Sequence, residues 1–308
     1  MNAVVFSGQG SQYVGMAADL IRCFPEAATL AQKANDVVGY DLVSICTDGP
    51  AEVLKETRYT QPALFLHEAI ILTVTGVHQN AVAVAGHSLG EFTALYAAGV
   101  LTFEDALRIV ALRARLMFDA GNELPGTMAA IVGLDDERVT TLCSELDSPD
   151  GERIVPANFN APGQVVVSGS VDLVRSSFPR FKEAGAKLVK ELAVSGAFHS
   201  PLLKGAQRPL SEALDKTTFR DATKDVYVNV TGEAVRNAAE LRNAAQQQII
   251  SAVRWTETIK NMEKAGVTHI VEVGPGTVLQ GLMKRIAPTL ATSGLDTAEH
   301  VIAYRAEI

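Results

Sequence analysis

The chain has 308 residues, 47% of them hydrophobic and 20% charged, with a formal net charge of −8. This excludes a disordered or fibrous protein and leaves enough apolar material for a large core in one or two domains. No apolar run approaches the roughly 18 residues that span a bilayer, and an acidic balance without a basic block argues against a nucleic-acid partner.

The chain opens on Met1-Asn2-Ala3-Val4, strand-like and without a cationic stretch, so a signal peptide is not expected. Residues 3–6 predict a strand, and 17–38 and 61–77 predict helical stretches. The apolar run 81–85 then meets Gly86-His87-Ser88-Leu89-Gly90, followed by the helix-forming stretch 91–98. Strand, sharp turn and helix is the context in which G-x-S-x-G carries chemistry. Two glycines permit a bend too tight for a Cβ, and the bend pushes the serine hydroxyl out at the end of a sheet. Amides that open the helix then face the oxygen under attack. Ser88 is read as a nucleophile, against the plainer reading of a structural turn.

Residues 103–120 predict a helix, with Leu107, Val110, Ala111, Ala114 and Met117 at three- and four-residue steps. Arg113 and Arg115 lie within it, and periodicity does not say which one faces the serine. An arginine in a cleft offers a planar fork for a carboxylate. The rhythm then changes: strand 127–132, helix 135–146, strands 153–157 and 164–168, helix 171–184 and strand 187–194. This β-α-β-β-α-β order is the split pattern of a ferredoxin-like unit, and Asn160-Ala161-Pro162-Gly163 supplies a turn within it. After residue 199 the first texture returns, with a helix at 202–214, a strand at 226–230, and helices at 238–249 and 256–265. A strand at 269–273 ends at Gly274-Pro275-Gly276, and a helix runs on through Arg285. Segment 221–234 is ambiguous, and the tail after Pro288 carries little pattern. The expected fold is α/β: a large α/β-hydrolase-like domain with a parallel sheet, formed by 1–122 and 199–308, and an inserted ferredoxin-like α+β subdomain at 123–198. Cys23, Cys46 and Cys143 are scattered and odd in number, which fits free thiols in a reducing cytoplasm and no zinc site.

A nucleophilic serine needs a base, and there are six histidines. His87 is read as a structural part of the elbow, and His67, His78 and His269 as structural residues of apolar elements; His300 lies in the tail. His199 sits in Ser195-Gly196-Ala197-Phe198-His199-Ser200-Pro201, where the chain returns from the middle segment. Ser200 and Pro201 form a helix start. The positive end of that helix favours the neutral imidazole a base requires. A histidine packed at a domain junction is the alternative.

Five ordered motifs carry a family resemblance: Phe6-Ser7-Gly8-Gln9-Gly10-Ser11-Gln12, Gly86-His87-Ser88-Leu89-Gly90-Glu91, Arg113 with Met117, Phe198-His199-Ser200, and Glu272-Val273-Gly274-Pro275-Gly276. From residue 3 to about 286 the chain resembles the malonyl-CoA:acyl-carrier-protein transacylases of fatty acid synthesis and the related acyltransferase domains of polyketide synthases. Ser7 departs from the proline usual in that family. The resemblance implies Ser88 as nucleophile, His199 as base, the backbone amides of Gln9 and Leu89 as oxyanion hole, and Arg113 as the clamp for a malonyl carboxylate. It also implies that the main-chain carbonyl of Gln248 orients the histidine. The implied reaction is ping-pong transfer from malonyl-CoA to the phosphopantetheine thiol of acyl carrier protein. No metal, redox cofactor, nucleic acid or membrane is required, and the enzyme is expected to be a cytoplasmic monomer. An acidic carrier facing a net-negative chain calls for a local basic patch, for which Lys182, Lys187, Lys190, Lys204 and Arg208 are candidates. The alternatives are a transacylase of polyketide synthesis or malonate decarboxylation, a serine thioesterase or other hydrolase, and a non-catalytic carrier-docking module.

Overall fold

The computed structural model describes residues 1–147, 153–194 and 196–307. Its strands are β1 (Asn2–Phe6), β2 (Ala83–Gly86), β3 (Gly126–Val132), β4 (Ile154–Ala161), β5 (Gln164–Ser170), β6 (Leu188–Glu191), β7 (Asp225–Tyr227), β8 (Ala234–Val235), β9 (His269–Val273) and β10 (Ala291–Leu295). They form a six-stranded sheet in the order β10-β9-β1-β2-β7-β8 and a four-stranded sheet in the order β4-β5-β3-β6. In the first, every neighbouring pair is parallel except β7 with β8. In the second, every pair is antiparallel.

The apolar pattern explains the difference. Strands β1 and β2 are buried almost without interruption, as parallel strands covered on both faces must be. Successive side chains of β1 enter opposite layers. Val4 and Phe6 join the core that holds Phe65, Phe92 and Leu107, whereas Ala3 and Val5 join Trp255, Ile259 and Met283. The second sheet is divided in the same way. Ala129, Ile131, Val165 and Val167 pack under the helices Asp136–Leu146 and Val171–Glu183, in a cluster with Val139, Val174 and Phe181. Met128 and Val166, on the opposite face, belong to the large core instead.

Several elements differ from the sequence expectation. The stretch 17–38 is two helices, Ala18–Cys23 and Pro25–Val38, because Phe24 is extended and Pro25 starts a new helix. The last strand of the middle segment is only Leu188–Glu191, and the strand expected at 226–230 is Asp225–Tyr227. The tail beyond Pro288 holds a sixth strand of the large sheet, β10, and the helix Ala298–Glu307. Short helices at Leu42–Thr47 and Ala51–Lys55 were not expected. Among the described residues no helix is long and apolar enough to cross a membrane.

Candidate active site

Strand β2 lies beside β1 in the middle of the parallel sheet, with Gly86 paired to Phe6 at the carboxyl ends of both. In such sheets a crevice opens beyond those ends. Ser88 follows at once, with a left-handed φ of 54°, and the helix Gly90–Ala97 leaves from the turn. Both glycines are forced by close approach: a Cβ on Gly86 would lie 1.9 Å from the Gly90 carbonyl carbon, and one on Gly90 would lie 2.4 Å from the Phe6 carbonyl oxygen. A left-handed serine costs roughly 1–3 kcal/mol, and such strain persists only where surroundings over-determine it. Here they do. The Ser88 amide donates to Asn229 Oδ1 at 2.7 Å, Asn229 Nδ2 donates to the Gly86 carbonyl at 2.7 Å, and Gln248 Nε2 donates to the Ser88 carbonyl at 2.7 Å.

His199 arrives from the far end of the middle segment, also with a left-handed φ, of 57°. Its Nε2 lies 2.8 Å from Ser88 Oγ. Its Nδ1 faces two main-chain carbonyls, Gln248 at 3.0 Å and Ser251 at 3.1 Å. Carbonyls only accept, so Nδ1 carries the ring proton and Nε2 is left to accept from the serine. Burial first, then the Arg113 guanidinium, pushes the imidazole pKa down to about 3. The imidazole is therefore neutral. From the sequence, a helix end is the expected cause of this neutrality. The Ser200 cap is present and opens the 3₁₀ turn Pro201–Leu203, which runs directly into the helix Lys204–Lys216, but the shift comes first from desolvation and then from Arg113. Ser195, which heads the motif around His199, lies outside the described residues.

The helix Phe103–Glu123 settles the choice between the two arginines. Arg113 is fully buried, whereas Arg115, two residues on, is exposed. Arg113 Nη2 donates to Ser88 Oγ at 3.0 Å and to Gln248 Oε1 at 2.9 Å, and Nη1 donates to Gln61 Oε1 at 2.6 Å. The guanidinium also stacks 5.5 Å from the Phe92 ring centroid. Burial lowers its pKa to about 10, which leaves it cationic at neutral pH. Arg115 instead lines a separate groove with Tyr40, Arg58 and Arg108.

In front of Ser88 lies a cavity of about 170 Å³ that Gln9 and His199 line together with Met117, Met128, Val166 and Phe198. The loop bearing Gln9 packs so tightly on the elbow that a Cβ on Gly8 would sit 2.7 Å from the His87 carbonyl oxygen. Leu89, directly after the serine, is the N-cap of the helix Gly90–Ala97. Among the described residues, the Gln9 and Leu89 amides donate to no acceptor within the chain. The residues Gln9, Ser88, Leu89, Arg113, His199 and Gln248 therefore share one locality. His87 is engaged elsewhere, through Nε2 to Asn160 Oδ1 at 2.8 Å and against the Trp255 ring. Gln61 and Asn229 hold the site yet escaped the sequence reading. Gln61 falls inside an apolar helix, and Asn229 falls in the stretch without a readable pattern. The side chain of Gln248 was missed as well, since only its carbonyl was expected to act. Lys182, Lys187, Lys190, Lys204 and Arg208 are all exposed, Arg208 paired with Glu212 at 3.1 Å.

Comparison with known proteins gives this geometry a family. The acyl transferase domain model matches residues 3–301. The malonyl CoA-acyl carrier protein transacylase of Escherichia coli K12 is 42% identical over 297 residues, covering 96% of this chain and 95% of the relative. The Haemophilus influenzae protein of the same name is 43% identical over 94% of this chain and 93% of its own. Among solved structures, an acyl carrier protein S-malonyltransferase from Vibrio cholerae superposes with a TM-score of 0.92 at 40% identity, covering 98% of this chain and 99% of that one. A malonyl-transacylase solved in complex with a type II polyketide acyl-carrier protein gives 0.93 at 39% identity, covering 100% and 99%. With a strained serine turn whose hydroxyl meets a carbonyl-held histidine and a buried arginine, the chain belongs to the acyl transferase domain family.

Proposed function

We propose that the chain transfers a malonyl group from malonyl-CoA to the phosphopantetheine thiol of an acyl carrier protein, through a malonyl ester on Ser88, in fatty acid biosynthesis. One observation carries the reading: Ser88 Oγ lies within hydrogen-bond reach of a neutral imidazole and of a buried guanidinium at once. The imidazole supplies nucleophilic catalysis, and the guanidinium selects an acyl group that itself ends in a carboxylate.

In the first half-reaction Ser88 Oγ attacks the thioester carbonyl while His199 Nε2 takes its proton. The developing oxyanion faces the Gln9 and Leu89 amides, donors worth about 3 kcal/mol each where measured in other enzymes. The carbon–sulfur bond then breaks, and coenzyme A leaves with the proton from His199. In the second half the carrier thiol gives its proton to His199 and attacks the ester carbonyl, and Ser88 Oγ departs and recovers that proton. A malonyl carboxylate stands one methylene from the ester carbonyl, within reach of the guanidinium beside Ser88. Its charge offsets the cation that suppresses the basicity of His199, so the correct acyl group strengthens the base. The Gln248 and Ser251 carbonyls replace the carboxylate with which ordinary serine hydrolases orient their histidine, which weighs against the hydrolase alternative.

All these groups come from one chain, which supports a monomeric enzyme. Three free thiols support a reducing, cytoplasmic setting. Residues 123–198 are proposed as an inserted ferredoxin-like subdomain that walls the cavity with Met128 and Val166. A polyketide carrier is the second reading, favoured by the likeness to the transacylase solved with such a partner. The test is partition of labelled malonyl-CoA with holo carrier protein present. Label moving to the carrier thiol is the expected result, and release chiefly as free malonate would make the chain a hydrolase.

A further inference from the structure

The helix Thr57–Thr75 passes behind the site and buries a carboxyl group that the chemistry above does not use: Glu68, with no exposed surface. Its two oxygens have different partners. Ser7 Oγ donates to Oε1 at 2.8 Å, and Thr93 Oγ1 donates to Oε2 at 2.5 Å. Ser7 begins the loop after β1 that carries Gln9, and its hydroxyl also accepts from Ser11 Oγ at 3.2 Å. Thr93 lies in the helix Gly90–Ala97, which opens beside Leu89. The two contacts therefore end on the two segments that bear the proposed oxyanion donors. Room for the junction comes from Gly274, whose φ is 131° and where a Cβ would lie 2.3 Å from Ser7 Oγ and 2.9 Å from Glu68 Oε1.

We propose that Glu68 is a positioning residue for acyl transfer, tying the Gln9 loop to the Leu89 helix so that both amides are held at the spacing one oxyanion requires. The inference rests on the acyl-transfer reading of Ser88. It also explains Ser7. The proline usual at that position in the resembling family has no hydroxyl, so it would leave one oxygen of this buried carboxyl without its partner. Serine at position 7 and glutamate at position 68 are thus a matched pair. Burial, with Glu272 adding in the same direction, raises the Glu68 pKa to about 8. The shift favours the protonated form toward neutral pH, in which one oxygen accepts from its hydroxyl partner and the other donates, so that one of the two bonds above runs in the reverse direction. Glutamine offers the same two functions in the same shape.

The experiment is single-turnover acylation of the full-length chain by malonyl-CoA, followed by intact mass, with kcat and KM measured in parallel for Glu68→Leu and Glu68→Gln. Removing one oxyanion donor outright costs about 10²–10³ in kcat, so loosening the pair in Glu68→Leu is expected to slow acylation by about tenfold or more. The KM for malonyl-CoA should stay within about twofold. Glu68→Gln should recover most of the lost rate. Ser7→Ala and Thr93→Val each cut one tie, and each should lower kcat at constant KM, which keeps the test open if Glu68→Leu does not fold. Wild-type acylation rates in Glu68→Leu or in both single-tie variants would overturn the inference, as would a Glu68→Gln variant as slow as Glu68→Leu. A wild-type chain that never acylates would overturn the acyl-transfer reading beneath it, an outcome visible before any variant is tested.

Discussion

The two sheets meet the cavity on different terms. The parallel sheet and its helices bring polar groups, Ser88, Arg113 and Gln248, each fixed by several hydrogen bonds. The antiparallel sheet brings Met128 and Val166, which offer shape and dryness, and two β4 amides, Asn158 and Asn160, of which Asn160 is bonded to His87 and neither to Ser88. Chemistry is thus concentrated where backbone strain and buried charge are over-determined. Fit to the acyl chain is left to side chains that can change without disturbing a proton path. Substitutions on the first side should abolish the reaction or switch its substrate, and those on the second should only tune it.

Ser88→Ala should produce the largest effect, a loss in kcat on the order of 10⁶-fold by analogy with nucleophile removal in other serine enzymes. Residual turnover near the wild-type rate would place the nucleophile elsewhere. Arg113→Ala comes next. Removing one partner of a desolvated charge pair costs roughly 2–5 kcal/mol, so malonyl transfer should fall by that amount while acetyl transfer persists. Arg115→Ala should leave both rates alone, and the reverse pattern in the two variants would assign the clamp to the exposed arginine. Met128→Ala, on the antiparallel side, should change KM or acyl-chain preference by less than about tenfold, since a partly emptied wall leaves proton transfer intact. A collapse of kcat comparable to that of Arg113→Ala would erase the contrast between the sheets. The pH profile of kcat/KM for malonyl-CoA, which reports the free enzyme, should show the smallest change. His199 is held neutral, with its pKa lowered to about 3, so kcat/KM should not fall between pH 8 and pH 5. A group titrating near its ordinary value of about 6.5 would instead produce a clear acid limb, and such a limb would show that burial and Arg113 do not control the base.

The same contrast governs how much could be read from the sequence. The elbow was legible because its geometry is local: only glycine tolerates the contacts at positions 86 and 90, so the constraint is written in adjacent residues. The β-α-β-β-α-β order of the middle segment likewise announced the antiparallel sheet. His199 was legible only in part. Its position beside a helix start was visible, but its neutrality comes from burial and from an arginine 86 positions earlier in the chain. Arg113 and Arg115 could not be separated, because the buried face of their helix is broad and includes Ala111 and Leu112 only in part. Asn229 and Gln61 left no signal, since each acts through one amide placed by tertiary packing. Strand β10 was missed because Ala-Thr-Ser-Gly-Leu at a sheet edge has no strong apolar alternation.

The central claim is that Ser88 itself carries the malonyl group between two thiols. Intact mass measurement with peptide mapping, after mixing the chain with malonyl-CoA and then with holo carrier protein, tests it most directly. The account predicts one malonyl group on the peptide containing Ser88, which disappears as the carrier thiol gains it. An adduct on another residue, or none on a chain that still transfers malonyl groups, would contradict it.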